Sequence, residues 1–271
     1  MLRLCLSLIG VCLVATGCTS VQDTTGPTDR PRPDRTQQGG DDEGGNDDGG
    51  NDDGGNDDPN ANADDDGDGL TNGEEDALGT DPNNADTDGD GWDDDEELDE
   101  NTDPTDGNDK PYAGGYPIDA CRYDIDGEGH NVGQVATNFT LTDQYGDNVR
   151  LHDFCHKAVL IVGSAGWCGP CQTEARSLAK WQSKYEDDGF IVITLLAENN
   201  YGSTPSQSEL KSWESMAGYS GAPVLADPGW ANENNYERDG YIPSVSLLSP
   251  GLEILIKDGN VSESDIKNAL P

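Results

Sequence analysis

Thirty of the chain's 55 acidic residues fall between Asp41 and Asp109, a stretch that contains no Lys or Arg. Like charges at that density repel, and the few apolar side chains there bury too little surface to offset the entropy of ordering the backbone. A packed core therefore has to come from elsewhere in the molecule. From Lys110 onward, 22 acidic and 11 basic residues leave a net charge of −11, ordinary for a folded domain. The formal charge of −40 thus describes one segment rather than the whole. Such a run repels nucleic acid and attracts cations, so nucleic acid is not an expected partner.

At the N-terminus Arg3 precedes an apolar stretch, Leu4 to Val14, that is too short to span a bilayer. Small residues at Ala15-Thr16-Gly17 lead directly to Cys18. The pattern resembles a bacterial lipoprotein signal, which implies removal of residues 1–17, lipid on Cys18 and export. Ala15 stands where that signal usually has Leu, and an ordinary signal peptide is the plainer alternative. Thr19 after the cysteine resembles the form destined for the outer membrane. Cys5 and Cys12 would leave with the signal, so Cys121, Cys155, Cys168 and Cys171 remain in an oxidising setting.

Residues 18–63 read as a disordered Gly/Asn/Asp-rich tether, with Gly44-Gly45-Asn46-Asp47-Asp48 copied from Gly49 and again from Gly54. Residues 64–106 stay acidic but gain order. Asp64, Asp66, Asp68, Asn72 and Glu75 stand at loop positions one, three, five, nine and twelve, and Leu70 at position seven offers its carbonyl. Asp86, Asp88, Asp90, Trp92, Asp94 and Glu97 repeat the set 22 residues later. Calcium takes six to eight hard oxygen ligands, and this spacing wraps them around one ion. Too few residues separate the loops for the paired helices of EF-hands. The segment resembles thrombospondin type 3 calcium repeats, which implies structural calcium. A solvated acidic run with chance spacing is the competing view.

Residues 107–135, rich in Gly and Tyr, read as a linker that carries Cys121. Only residues 136–271 can bury a sizeable core. Phe139–Leu141 and Val149–Leu151 suggest a hairpin, and Ala158–Val162 and Phe190–Ala197 are apolar runs suited to strands buried on both faces. Between those strands a helical period starts at Cys171, with Ala175, Leu178, Trp181 and Tyr185 near one face. Ser206–Ala217 and Ser262–Leu270 read as further helices. Val224–Ala226, Val245–Leu248 and Glu253–Ile256 read as further strands. Strand, helix and parallel strand indicate an α/β fold: a central mixed sheet with helices on both faces.

The chemistry points to Trp167-Cys168-Gly169-Pro170-Cys171, where a buried strand ends and a helix begins. Unsatisfied amides and the positive end of the helix favour a thiolate at Cys168, making it a nucleophile. Pro170 suits the first helical turn. Cys171, one turn on, can attack the mixed disulfide and release the partner. Half of a zinc site and a purely structural Cys168–Cys171 disulfide are the bland alternatives. No second pair at this spacing exists to complete a zinc site.

On these residues, with Phe139-Thr140-Leu141-Thr142-Asp143 and Gly146 as the opening pattern, residues 136–271 resemble thioredoxin-fold proteins of the TlpA/ResA type. The resemblance implies a thiol–disulfide oxidoreductase that needs no cofactor for its redox step. Its partners would be substrate proteins with disulfides or thiols, and an electron donor the chain does not encode. Glu174 matches a family acid near the resolving cysteine, against the plainer view of a solvated glutamate. Pro243 matches the family's cis-proline beside the dithiol, and Trp167 is placed to shield one side of the pair. Val162 departs from thioredoxin, which has a buried Asp at that place. Ala165 stands where a peroxiredoxin needs a hydroxyl, so peroxidase activity is discounted. Cys121 and Cys155 suggest a structural disulfide, whereas His152, Cys155 and His156 leave a weak metal alternative. The competing functional class is a cell-surface calcium-binding or adhesion protein that uses the fold as a scaffold.

Overall fold

Two strands without a polar face, joined through a helix, can hide their apolar side chains only in a layered α/β arrangement. The computed structural model describes residues 60–271 and has that arrangement. The signal sequence, Cys18 and the tether up to residue 59 lie outside the described residues. In chain order come two short helices, α1 (Asn72–Leu78) and α2 (Asp94–Asp99), then the hairpin β1 (Thr140–Thr142) and β2 (Asn148–Arg150). Next are β3 (Ala158–Ala165), α3 (Gly169–Tyr185), β4 (Phe190–Glu198), α4 (Gln207–Ala217) and β5 (Val224–Ala226). A short α5 (Glu233–Tyr236), β6 (Ser244–Leu248), β7 (Ile254–Ile256) and α6 (Glu263–Ala269) complete the chain.

The main sheet runs β5-β4-β3-β6-β7. β3 pairs in parallel with β4 and antiparallel with β6, which is the mixed sheet of a thioredoxin-like fold. Alternate residues of the central strands feed two cores. Leu160, Val162, Val192 and Leu196 meet Leu178 of α3, Leu210 and Trp213 of α4, and Ile266 of α6. Val159, Ile161, Ile191 and Ile193 face the other way, onto Val149 of the hairpin and Tyr236 of α5. The two faces are thus covered unequally, by three full helices on one side and by hairpin, loops and a single-turn helix on the other.

β3 runs three residues past the apolar run that announced it. Gly163 pairs with Ser244, and a side chain there would collide with Glu233 and Ser244, so only glycine fits. α3 buries Cys171, Ala175, Leu178, Ala179, Gln182 and Tyr185, a helical stripe. The chain then turns at Gly189, whose φ of 84° lies in the left-handed region.

Residues 107–135 are more than the linker their composition suggested. Tyr112, Tyr116 and Ile118 enter the second core, and the Tyr116 hydroxyl donates to Asp143 Oδ2 at 3.1 Å. Tyrosines among glycines can bury their rings because Asp153 and Asp143 satisfy their hydroxyls. The helices α1 and α2 were also not visible in the sequence. Thr71 caps α1 reciprocally with Glu74, a device hidden within a run of acids.

Candidate functional site

Three segments converge on Cys168. β3 ends at Ala165, and the turn Gly166-Trp167 delivers Cys168 to the N-cap of α3. The Cys171 amide donates to Cys168 Sγ at 3.1 Å, one of the helix-start donors that would otherwise go unpaired. Cys168 and Cys171 are joined as a disulfide with Cα atoms 5.2 Å apart. Cys168 is 4% exposed and Cys171 1%, so the first sulfur is the more accessible. From the third segment, the Ile242 carbonyl oxygen lies 3.9 Å from Cys168 Sγ, and the Ile242–Pro243 peptide is cis.

Trp167, 53% exposed, stands beside the pair, and its indole donates to Glu198 Oε2 at 2.7 Å. The Trp230 indole donates to the other oxygen of the same carboxylate at 3.1 Å. Neither Glu198 nor Trp230 was read from the sequence. The available signal was an acid closing a buried strand at the edge of the sheet where the dithiol turn lies. Glu174 is half-buried on α3, three residues past Cys171. Burial pushes the Tyr219 phenol up to about 12, and the negative charge of Glu174 adds to that. Val162 lies in the first core with both cysteines.

Cys121 and Cys155 form a second disulfide, Cα atoms 6.0 Å apart. Cys155 precedes β3 whereas Cys168 follows it, so the two disulfides lie at opposite ends of that strand. His152 is buried, with Nε2 at 2.9 Å from the Ala136 carbonyl oxygen, while His156 is exposed. The metal alternative at His152, Cys155 and His156 is therefore corrected: one ring is turned to the backbone and the thiol is consumed.

In the acidic segment, carboxylate oxygens of Asp64, Asp66 and Asp68 lie within 4.8 Å of one another, as do those of Asp86, Asp88 and Asp90. The loops fold by turning the first Asp inward to their own backbone: Gly67 N donates to Asp64 Oδ1 at 2.6 Å, and in the second loop Gly89 N donates to Asp86 Oδ1 at 2.8 Å and Gly91 N to Asp86 Oδ2 at 3.0 Å. Other oxygens are buried without a hydrogen-bond partner among the described residues: Oδ2 of Asp66, Asp68 and Asp88, both oxygens of Glu75, and Oε2 of Glu97, while Asp90 Oδ2 has only the Lys110 ammonium at 3.6 Å. Burial pushes Asp68 up to about 6, Glu75 to about 7 and Glu97 to about 8. Orphaned carboxylates of this kind are costly unless a cation completes them, so the residues fit calcium. Positions nine behave differently. Asn72 Oδ1 accepts from Asp65 N at 3.2 Å, and Asp94 accepts from Thr87 N at 2.9 Å and Thr87 Oγ1 at 2.7 Å. These two lock the loop against its second residue.

Residues 132–245 match the model of the AhpC/TSA family, and residues 64–85 and 86–107 each match that of the bacterial TSP3 repeat. The thiol–disulfide oxidoreductase ResA of Bacillus thuringiensis is 33% identical over 141 residues, covering 52% of this chain and 73% of that protein. The thioredoxin-like protein YneN of Bacillus subtilis is 25% identical over 142 residues, covering 52% and 80%. The thioredoxin domain of a thiol–disulfide oxidoreductase from Bacteroides vulgatus is similar in structure, with a TM-score of 0.41, 23% identity, and coverage of 51% of this chain and 94% of that one. Among the described residues no helix is long and apolar enough to cross a membrane.

Proposed function

We propose, for a chain that belongs to the ResA family of thiol–disulfide oxidoreductases, that Cys168 and Cys171 are the pair that exchanges with disulfides of substrate proteins. The observation that carries this is the hydrogen bond from the Cys171 amide to Cys168 Sγ at the start of a 17-residue helix. In the reduced protein that amide and the positive end of α3 favour a thiolate on Cys168. The thiolate attacks one sulfur of the substrate disulfide, the other substrate sulfur leaves and takes a proton, and a mixed disulfide remains. Cys171, once deprotonated, attacks Cys168 Sγ, which breaks the mixed disulfide and releases the second substrate thiol. Two electrons and two protons have then passed to the substrate, and an external dithiol donor must return them. Glu174, half-buried three residues past Cys171 on α3, would take the Cys171 proton. Pro243 and Trp167 border the sulfur that receives the substrate.

The remaining organisation follows the sequence. An exported chain is held through lipid at Cys18 to the outer membrane, with residues 18–63 as spacer, residues 64–106 as a calcium-stiffened stalk and residues 136–271 as the redox domain. Calcium supplies positive charge to the orphaned carboxylates; Asp64, Asp66, Asp68 and Glu75 would hold one ion, and Asp86, Asp88, Asp90 and Glu97 the other. The test is reduction of insulin by dithiothreitol. The wild type should accelerate it, and Cys168→Ser should lose about all of that acceleration, because no nucleophile remains. Cys171→Ser should accumulate mixed disulfides. Wild-type protein without acceleration, or Cys168→Ser with undiminished activity, would overturn the assignment.

A further inference from the structure

We infer that Glu198 is a positioning residue for the dithiol: it pins the Trp167 indole to one side so that a polypeptide reaches Cys168 from the Ile242 side. This rests on the assignment of Cys168 and Cys171 as the exchanging pair.

The backbone here leaves little freedom. Glu198 closes β4 opposite Ala165, three residues before Cys168. Its carbonyl accepts from Gly166 N at 2.6 Å. A side chain at Gly166 would approach the backbone of Asn199 and Asn200 to 2.9 Å, so the turn lies flat against the end of β4. Gln172 Nε2 donates to the Gly166 carbonyl at 2.8 Å from the other side. What remains free to swing in such a turn is the half-exposed indole of Trp167, directly before the nucleophile. Glu198 takes that freedom away with a charge-assisted hydrogen bond at 2.7 Å.

The carboxylate is itself held. Its second oxygen accepts from Trp230 at 3.1 Å. Trp230 adopts φ 61°, a left-handed conformation that a bulky residue rarely takes. Asp227 supports it there: its carbonyl accepts from Trp230 N at 3.2 Å, and its carboxylate accepts from Asn232 N at 3.0 Å and Glu233 N at 2.7 Å. Strained backbone held by such a network marks a place where geometry matters more than local stability. One carboxylate bridging two indoles ties the dithiol turn, the end of β4 and the turn after β5 into one frame. A neutral glutamine could not serve both indoles equally, since its amide offers one acceptor oxygen and one donor nitrogen.

The Trp167 indole can obstruct a bulky substrate and hardly a small one, so the readout is selectivity. The ratio of kcat/KM for insulin to kcat/KM for oxidised glutathione should fall about tenfold in Glu198→Gln, and similarly in Trp167→Phe. The double variant should be no worse than either single one, since both remove the same contact. Trp167→Phe, at an exposed position, keeps the test open should Glu198→Gln fold poorly. Equal losses on both substrates, or losses that multiply in the double variant, would overturn the inference and leave Glu198 as a stabilising residue only. A wild-type pair that exchanges with neither insulin nor glutathione would instead remove the assignment of the dithiol, which is a separate result.

Discussion

The acidic loops and the redox domain are ordered by opposite means. In the domain, apolar side chains from both faces of one sheet fill two cores. In the loops, Leu70 is buried at 2% exposure, but beside it Glu75 and one oxygen each of Asp66 and Asp68 are buried without a hydrogen-bond partner among the described residues. Burial of apolar surface stabilises by itself, whereas burial of like charges is a standing cost until a cation arrives. One chain thus holds an unconditional fold beside a conditional one.

The two meet at a buried ionic joint. Asp109, just beyond the second repeat, pairs with Arg122 and, at 2.5 Å, with Arg150. Both arginines also reach Asp153, at 3.5 Å and 3.3 Å. Asn101 donates to the Ile118 carbonyl at 2.8 Å, and Cys121 is bonded to Cys155 beside it. Removing one partner of a buried pair strands the other, so Arg122→Met should cost about 3–5 kcal/mol in urea unfolding of the domain. A negligible cost would mean that the two regions are ordered independently.

Calcium removal should separate the regions next. At calcium about a hundred times the dissociation constant, the loops gain ~2.7 kcal/mol, and stripping it with a chelator should lower amide protection in residues 64–106 by about a hundredfold. β3 and β4 should lose far less. Equal loss in both regions would break the contrast.

The smallest effect sharpens the contrast through pH. In calcium-free protein Glu75 and Glu97 are raised from 4.5 to about 7 and about 8 by burial, so the folded loops bind these protons more tightly than the unfolded chain. Their contribution is therefore complete below about 4.5 and is lost as pH rises through 7 to 8. Protection of the loops without calcium should fall across that window, while calcium affinity should rise across it as the protons are displaced. Flat protection from pH 5 to 8 would refute the burial of these carboxylates.

Much of this was legible beforehand because it is periodic. Runs such as Phe190–Ala197 have one solution in a sheet, and Trp167-Cys168-Gly169-Pro170-Cys171 opens a helix with a proline where its missing donor is harmless. The spacing of the loop acids was legible, but not that Asn72 and Asp94 bond backbone at the second loop position. That choice depends on local closure of each loop. Composition misled at residues 107–135, since glycine and aspartate conceal tyrosines that anchor through Asp143 and Asp153, residues remote in sequence. The same holds for Arg122, whose partners lie 13 and 31 positions away.

Neighbours along the chain set the buried strands, the helix starts, the dithiol at a helix N-terminus and the twofold acidic loop. Other features are made by residues that meet across loops and emerge only in the folded molecule. These are the joint at Asp109 and the carboxylate of Glu198 shared by two indoles, whereas the Cys121–Cys155 bond, suggested by the sequence beside a metal alternative, is settled by the fold. Periodicity and capping act within a few residues, whereas the pairing of a buried polar group depends on which distant segment the folded core brings to it.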